Sequence, residues 1–274
     1  MYPVNRTLQA VAAAAILLGT YSYAVAGTIG GLEVSNGPTF GVSQTYQNVV
    51  TGVGDTQAGY GKVDSINSIP ISSLCAGCEL TYRFSGYTVT SISPTEVKYT
   101  GGTYQYYLGF GADKDFTTLN GGGSAGDLAE ATNGTLFLSL KGHAIDAAGN
   151  TLVGAGVNIG TTSPTGFGSG LFDVDTSAGG IANAFFDTNA VPALFGGGNA
   201  DFELGSSFSG LQPAYPGECP GGQACLRGGA DFTAALTGVT ATGVPEPATI
   251  TLLGLGVAGW AALRRRKKHR QLTL

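Results

Sequence analysis

Histidine is nearly missing: the 274 residues hold two, His143 and His269. Catalysis by clustered imidazoles on zinc or copper is excluded by that count alone. Any serine or cysteine nucleophile in the body would have to use His143 as its base. Methionine and tryptophan occur once each, and charged residues make up only 11% of the chain. Basic residues are scarcest in the middle. Between Gly27 and Gly243 stand Lys62, Arg83, Lys98, Lys114, Lys141 and Arg227 against 17 acidic residues, a formal charge of −11 where the whole chain carries −5. A body of that sign argues against nucleic acid and anionic membrane surfaces, and suits solubility and cation binding. Helical periodicity is also missing, since no long segment of the body repeats its apolar residues at three- and four-residue intervals.

What is present begins at the two ends. Arg6, the apolar run Ala10 to Gly19 and the small-x-small triplet Ala24-Val25-Ala26 read as a signal peptide over 1–26, with a mature start at Gly27. No cysteine follows the cleavage site, so a lipoprotein is not expected. At the other end Val244-Pro245-Glu246-Pro247 precedes an uncharged run, Ala248 to Leu263, which ends in Arg264, Arg265, Arg266, Lys267 and Lys268, with Arg270 just beyond. As a helix that run spans about 24 Å, slightly short of the roughly 30 Å hydrocarbon core. Trp260 at the headgroups and snorkelling arginines make up part of the difference. The two prolines oppose helix formation before the membrane and leave an extended handle. The basic cluster puts the C-terminus in the cytoplasm.

This tripartite tail, residues 244–270, resembles the PEP-CTERM sorting signal of Gram-negative bacteria. The resemblance implies an exosortase as partner, which processes the chain near Glu246. It implies an inner-membrane-anchored precursor, then release or transfer to the cell surface or extracellular matrix. That system accompanies exopolysaccharide production in biofilms, so extracellular polysaccharide is an expected partner as well. The tail departs from the usual pattern in the few residues from His269 to Leu274. Gly254, Gly256 and Gly259 match the spacing of a dinucleotide loop, but within a predicted membrane span the match is accidental. Gly254 and Ala258 are spaced for close helix approach, or are simply tolerated in the anchor.

Cys75 and Cys78 form one close pair and Cys219 and Cys225 another. In an oxidising compartment even-numbered cysteines usually bond, and of the three possible connectivities two local bridges are favoured. A redox role for Cys75-Ala76-Gly77-Cys78 lacks the surrounding βαβ pattern. A four-cysteine zinc site would need an unusual five-residue spacing between two of them.

The body, residues 27–243, holds most of the 46 glycines. Short alternating runs recur through it: Leu80 to Phe84, Thr103 to Phe110, Thr135 to Ile145, Gly170 to Val174, Asp201 to Phe208 and Asp231 to Val239. Alternation bounded by glycine and asparagine turns is the strand signal. An all-β antiparallel sandwich or jelly roll is expected, followed by the transmembrane helix over 248–263. One short helix is expected at Gly180 to Phe186, with Ile181, Ala184 and Phe185 toward the core. Gly121–Ser124 and Gly196–Asn199 read as flexible loops, and Gly156 to Gly170 as a glycine- and threonine-rich stretch.

Candidate chemistry is sparse. Gly122-Gly123-Ser124-Ala125-Gly126 matches a nucleophile elbow but lacks the strand leading into it. Asp173-Val174-Asp175 and Asp201-Phe202-Glu203 each put two carboxylates on one face of a predicted strand, and Asp113-Lys114-Asp115 is a turn-like version. Calcium takes six to eight oxygens from such groups and from loop carbonyls, although no run matches an EF-hand or a calcium nonapeptide repeat. A carboxylate pair also suits glycoside hydrolysis if its spacing fits. Tyr99, Tyr104, Tyr106 and Tyr107 would stack on sugars if exposed, but buried tyrosines are commoner, and Tyr107 alternates to the face opposite Tyr104 and Tyr106. The expectation is a non-catalytic structural or adhesive surface protein without a cofactor, calcium at Asp173, Asp175, Asp201 and Glu203 being the one candidate. A carbohydrate-binding module and a secreted hydrolase are the alternatives. A module should show exposed tyrosines beside acids in a shallow groove, and a hydrolase titratable groups converging in a deep pocket.

Overall fold

A computed structural model describes residues 26–116, 126–192, 198–209, 215–219 and 223–240, with side chains for all of these except 26, 215–219, 223 and 224. The chain divides into two units, Met1–Thr240 and Ala241–Leu274, and the described residues all lie in the first. The elements in order are β1 (Ala26–Ile29), β2 (Leu32–Ser35), β3 (Gly37–Gln47), β4 (Thr56–Ile66), β5 (Ile69–Pro70), α1 (Ile71–Leu74), β6 (Cys78–Ile92) and β7 (Glu96–Phe110). A 3-10 turn, Gly111–Asp113, is followed by α2 (Asp127–Glu130), β8 (Thr135–His143), β9 (Asn150–Val157), β10 (Thr165–Val174) and α3 (Asn183–Phe186). The chain then forms β11 (Val191–Pro192), β12 (Asn199–Ala200), β13 (Phe202–Ser209), β14 (Tyr215–Cys219) and β15 (Gln223–Leu236).

The chain is mostly β, as expected, but the sheet is not a sandwich or a jelly roll. It closes into an up-and-down barrel of eight antiparallel strand positions. The order is β3, β4, β6, β7, then β8 with β9, then β10, β13 and β15, and β15 pairs back onto β3 from Leu226↔Gln47 to Leu236↔Gly37. β8 and β9 share one position. β8 covers the Thr103–Leu108 stretch of β7, β9 covers Glu96–Thr100, and both run the same way. They are one barrel strand broken by the excursion at 144–149. Closure leaves no long edge of unpaired amides, which an open sheet would have to protect.

Aromatic rings fill the lumen. Phe84 stacks on Tyr104 at 5.1 Å, Tyr104 lies 5.1 Å from Tyr82 and 5.5 Å from Tyr106, and Phe232 links Tyr106 (6.0 Å) to Phe202 (5.8 Å). Each such pair contributes about 0.5–1.5 kcal/mol beyond its area burial. The rings fit because their cross-strand neighbours include glycines, Gly61 beside Tyr82 and Gly41 beside Phe232. A methyl group at Gly61 would overlap the Tyr82 hydroxyl and the Gln44 carbonyl, and one at Gly41 would overlap the Phe232 ring. Gly61 of β4 and Gly41 of β3 are therefore packing residues. The 156–170 stretch contains the end of β9 and much of β10, with Gly166, Gly168 and Gly170 recurring at the two-residue period of one strand face.

One end of the barrel is sealed. Ile29, Leu32 and Val34 of the β1–β2 hairpin pack in the main core with Ile71 and Leu74 of α1 and with Leu236 and Val239. Asn36 clamps the last described residues there: its Nδ2 donates to the Val239 carbonyl (2.9 Å) and its Oδ1 accepts from the Val239 amide (3.0 Å). Gly27 and Thr240 are close enough that a methyl on Gly27 would overlap the Thr240 carbonyl. The first and last residues of the barrel thus share its sealed end. The opposite end is framed by residues 48–55 and 158–164. The α3 helix is short, and its core residues are Ala182, Asn183 and Phe186 rather than Ile181 and Ala184, which are exposed. Asn183 fastens the segment between β10 and α3 at the sealed end. Its Oδ1 accepts from the Ser139 amide (3.0 Å) and its Nδ2 donates to the carbonyls of Asp175 (2.9 Å) and Gly179 (2.8 Å).

Candidate functional site

The carboxylates singled out by sequence do not converge. Asp173, near the end of β10, faces outward and meets His143 across β8–β10, with Nδ1 to its two oxygens at 2.9 and 3.0 Å. Asp175 lies beyond the strand, so the two are not a strand-face pair. Its Oδ1 accepts from the Ser177 hydroxyl (2.6 Å) and amide (3.1 Å), which hold its pKa below the usual carboxylate value. Asp201 is buried before β13 and does not share a face with Glu203. It accepts from the amides of Val174 (2.8 Å), Thr188 (2.6 Å) and Asn189 (2.6 Å), tying β10 to the 188–189 turn. Glu203 sits on β13 in register with Leu171 and Thr233, half-buried. Among the described residues no group of three His, Cys, Asp or Glu side chains comes together as a metal site. Asp115 bonds the Asn133 amide at 3.1 and 3.2 Å.

A buried carboxylate that sequence reading passed over is Glu79. It ion-pairs with Lys62 at 2.8 Å and accepts from the amides of Asp115 and Phe116 at 3.1 Å each. This fastens the 111–116 segment to the outer wall, where Phe116 packs on Tyr46 and Tyr60. The arrangement satisfies a buried charge and leaves no reacting group open.

The tyrosines settle on the two faces that alternation gives. Tyr99, Tyr104 and Tyr106 are buried in the lumen, while Tyr107 lies outside, half-buried, its hydroxyl donating to Gln105 Oε1 at 3.2 Å. Burial raises the pKa of Tyr82, Tyr87, Tyr99, Tyr104 and Tyr106, most strongly for Tyr87, Tyr104 and Tyr106, whose rings also crowd one another. Tyr82 Oη donates to the Gln44 carbonyl at 2.8 Å. Tyr87 Oη is buried and meets no partner.

Toward the end framed by 48–55 and 158–164 the column of rings leaves a cavity of about 50 Å³. Its aromatic wall includes Phe84, Tyr87, Tyr99 and Phe172, and its polar groups are Thr45, Gln47, Gln57 and Ser206. Among the described residues no charged side chain lines it. A smaller pocket of about 20 Å³ adjoins it toward the end framed by 48–55 and 158–164, sharing Gln47, Gln57, Tyr99 and Phe208. Sequence reading missed this site. The signal that marks it is a rung of small inward residues on adjacent strands, Gly154↔Gly168↔Ser206, where neighbouring rungs carry Leu152, Phe172 or Phe208.

Cys75 and Cys78 are joined, with Cα atoms 5.7 Å apart, and the bond lies in the core at the sealed end. Cys75 stands at the C-terminal end of α1, where the helix field does not favour a thiolate. Cys225 is disulfide-bonded and packs with Tyr46 and Tyr60; the Cys219 side chain lies outside the described ones. Also outside the described residues are Ser124 with its glycine loop, most of Gly196–Asn199, Val244, Pro245, Glu246 and Pro247, the 248–263 span, and Arg264 to Lys268. Among the described residues no helix is long and apolar enough to cross a membrane.

Fold and tail together define an exported β-barrel protein that carries a C-terminal sorting signal. The family profile of the PEP-CTERM protein-sorting motif matches residues 243–267, consistent with an exosortase substrate whose membrane-anchored precursor is processed for the cell surface. No curated protein and no solved structure is matched by the chain.

Proposed function

We propose that the barrel is a non-catalytic structural or adhesive component of the cell surface or extracellular matrix, delivered there by an exosortase. What supports this is the use to which the chemically able side chains are put. Tyr99, Tyr104 and Tyr106 build the core and offer no sugar platform on the outside. Asp201 and Glu79 are spent on backbone amides, and Asp175 on its own turn. The closed barrel, the Cys75–Cys78 bond and an acidic outer wall with few lysines and arginines make a durable body for an extracellular setting. The test is binding of the exported chain to extracellular polysaccharide from an exosortase-bearing host, with and without EDTA. No saturable binding, together with a matrix that loses cohesion when the gene is deleted, is the expected result. Saturable binding would replace this reading with a lectin, and its loss in EDTA would make calcium part of the site. Replacing Pro245, Glu246 and Pro247 with alanine should hold the chain in the inner membrane; unchanged delivery would remove the sorting role.

A further inference from the structure

We propose that the seam between β15 and β3 is a load-bearing joint, built so that tension at the C-terminal end of the barrel is resisted along the whole strand at once. The proposal deepens the structural reading above and rests on it, because a surface component held by its C-terminal segment feels every pull at Thr240.

Continuity is the first observation behind it. β15 pairs with β3 from Leu226↔Gln47 to Leu236↔Gly37 and with β13 from Phe208↔Gly228 to Phe202↔Ala234, eleven and seven consecutive pairs without a register shift. The β3–β4, β4–β6, β6–β7, β7–β8 and β7–β9 pairings are each broken by a bulge or irregularity. The strand that receives the load is thus gripped on both edges by unbroken ladders. The second observation is a matching of sizes along the seam. Gly228, Ala230, Phe232, Ala234 and Leu236 of β15 stand opposite Thr45, Ser43, Gly41, Thr39 and Gly37 of β3. Each large side chain meets a glycine, and each small one meets a residue with a hydroxyl. The Phe232 ring takes the place a side chain at Gly41 would need, and Tyr106 and Phe202 hold it from the lumen side.

This matching resists sliding. The smallest slip that keeps the same face inward is two residues, about 7 Å. A slip toward the sealed end would drive the Phe232 ring against buried Thr39 and leave Ala230 beside Gly41. Three side-chain ties add to the grip. Ser43 Oγ donates to the Ala230 carbonyl (2.9 Å), Arg227 Nη2 donates to Gln44 Oε1 (3.0 Å), and Asn36 clamps Val239 where the chain leaves. Tension between the C-terminus and the opposite end runs parallel to β15 and loads the whole ladder together. A pull across the seam would open the same pairs one after another.

The experiment holds the full chain, in a non-ionic detergent, between two handles in an optical trap. One handle is on a peptide tag added after Leu274. The other is on a thiol introduced by Val53→Cys at the opposite end, or by Thr28→Cys at the sealed end, both exposed positions. The first geometry loads the seam lengthwise, and the second draws β3 and β15 apart from the sealed end. Expected is a rupture force at least about twofold higher in the lengthwise geometry, since forced unfolding follows the barrier along the loaded path. Phe232→Val should lower the lengthwise force by a larger fraction than Phe172→Val, which trims a ring of similar burial on β10, outside the seam. Equal rupture forces in the two geometries overturn the proposal, and that comparison needs no core substitution. Phe172→Val weakening the lengthwise force as much as Phe232→Val reduces Phe232 to general core packing and overturns the matched seam as well. Delivery of the Pro245, Glu246 and Pro247 variant reads sorting and not force, so the two readings fail separately.

Discussion

Alkaline titration tests the aromatic lumen most directly. Nine of the 12 tyrosines lie after residue 26, and burial raises the pKa of five in the lumen, Tyr82, Tyr87, Tyr99, Tyr104 and Tyr106, and of Tyr107 on the outer wall. In the unfolded chain these phenols ionise near pH 10. Above that pH the unfolded state binds fewer protons than the folded one, so stability falls as pH rises. Each silent phenol contributes about 1.4 kcal/mol per pH unit to that fall, and the five of the lumen together about 7 kcal/mol per unit. A domain holds about 5–15 kcal/mol in reserve, so the barrel should unfold about one to two units above pH 10. Tyrosinate absorbance should therefore show a steep cooperative rise near pH 11 to 12 that coincides with the loss of near-ultraviolet circular dichroism. Smooth ionisation of all nine near pH 10 with the dichroism intact would refute the buried-phenol core.

Other perturbations separate packing from polar anchoring. Asp201→Ala removes the acceptor for three backbone amides, that of Val174 buried, and should cost about 3–5 kcal/mol by urea unfolding, with Asp201→Asn costing less because one oxygen is kept. Gly61→Ala drives a methyl into the Tyr82 hydroxyl and the Gln44 carbonyl and should cost about 1–3 kcal/mol, whereas Gly52→Ala, with open space around it, should be within about 0.5 kcal/mol of the parent. On the acid side, Asp55 is held below its usual pKa by the amides of Thr51 and Gly52, and Asp175 by Ser177. Their stabilisation is present above the unfolded value near pH 4 and is lost as pH falls through the lower folded values. Thermal melts should show only a small loss there, since both groups are well solvated.

The parts of the fold legible in the sequence are those in which hydrophobicity and alternation agree. Leu80–Phe84 and Thr103–Leu108 alternate apolar with polar and form β6 and β7 with the apolar set inward, and Leu138 and Leu140 of β8 join them, but a bulge sets Leu136 opposite Tyr107 and brings Phe137 into the core, and Phe110 is 41% exposed. β3 breaks the rule. Its inward residues are Thr39, Gly41, Ser43, Thr45 and Gln47, while Phe40 and Val42 are exposed at 54% and 55%. A reader following apolar residues finds no strand there, or finds one turned inside out. The inversion has a cause on the neighbouring strands: their rings occupy the inner space, Phe232 of β15 over its cross-strand partner Gly41, and Tyr82 of β6 against Ser43 Oγ at 3.4 Å. β9 and β10 hide the same way, because glycines on a packed inner face read as a loop. The tail was legible because its signal is local and compositional, Pro-Glu-Pro, an apolar run and a basic cluster within 25 residues of one profile.

Closure could not be read at all, and the reason is physical. Alternation says which residues of a strand face inward, but an inward face is the same in one sheet of a sandwich and in one stave of a barrel. What decides between them is whether the first long strand pairs with the last. Here Gly37–Gln47 meets Leu226–Leu236, a pairing across most of the chain. It depends on small matched residues, Ser43 Oγ donating to the Ala230 carbonyl at 2.9 Å and Gly228 set beside Thr45, that carry no hydrophobic signal. The lumen cavity was invisible for the same reason. Gly154, Gly168 and Ser206 become neighbours only once β9, β10 and β13 take their places in the closed sheet, and until then they are three small residues among many.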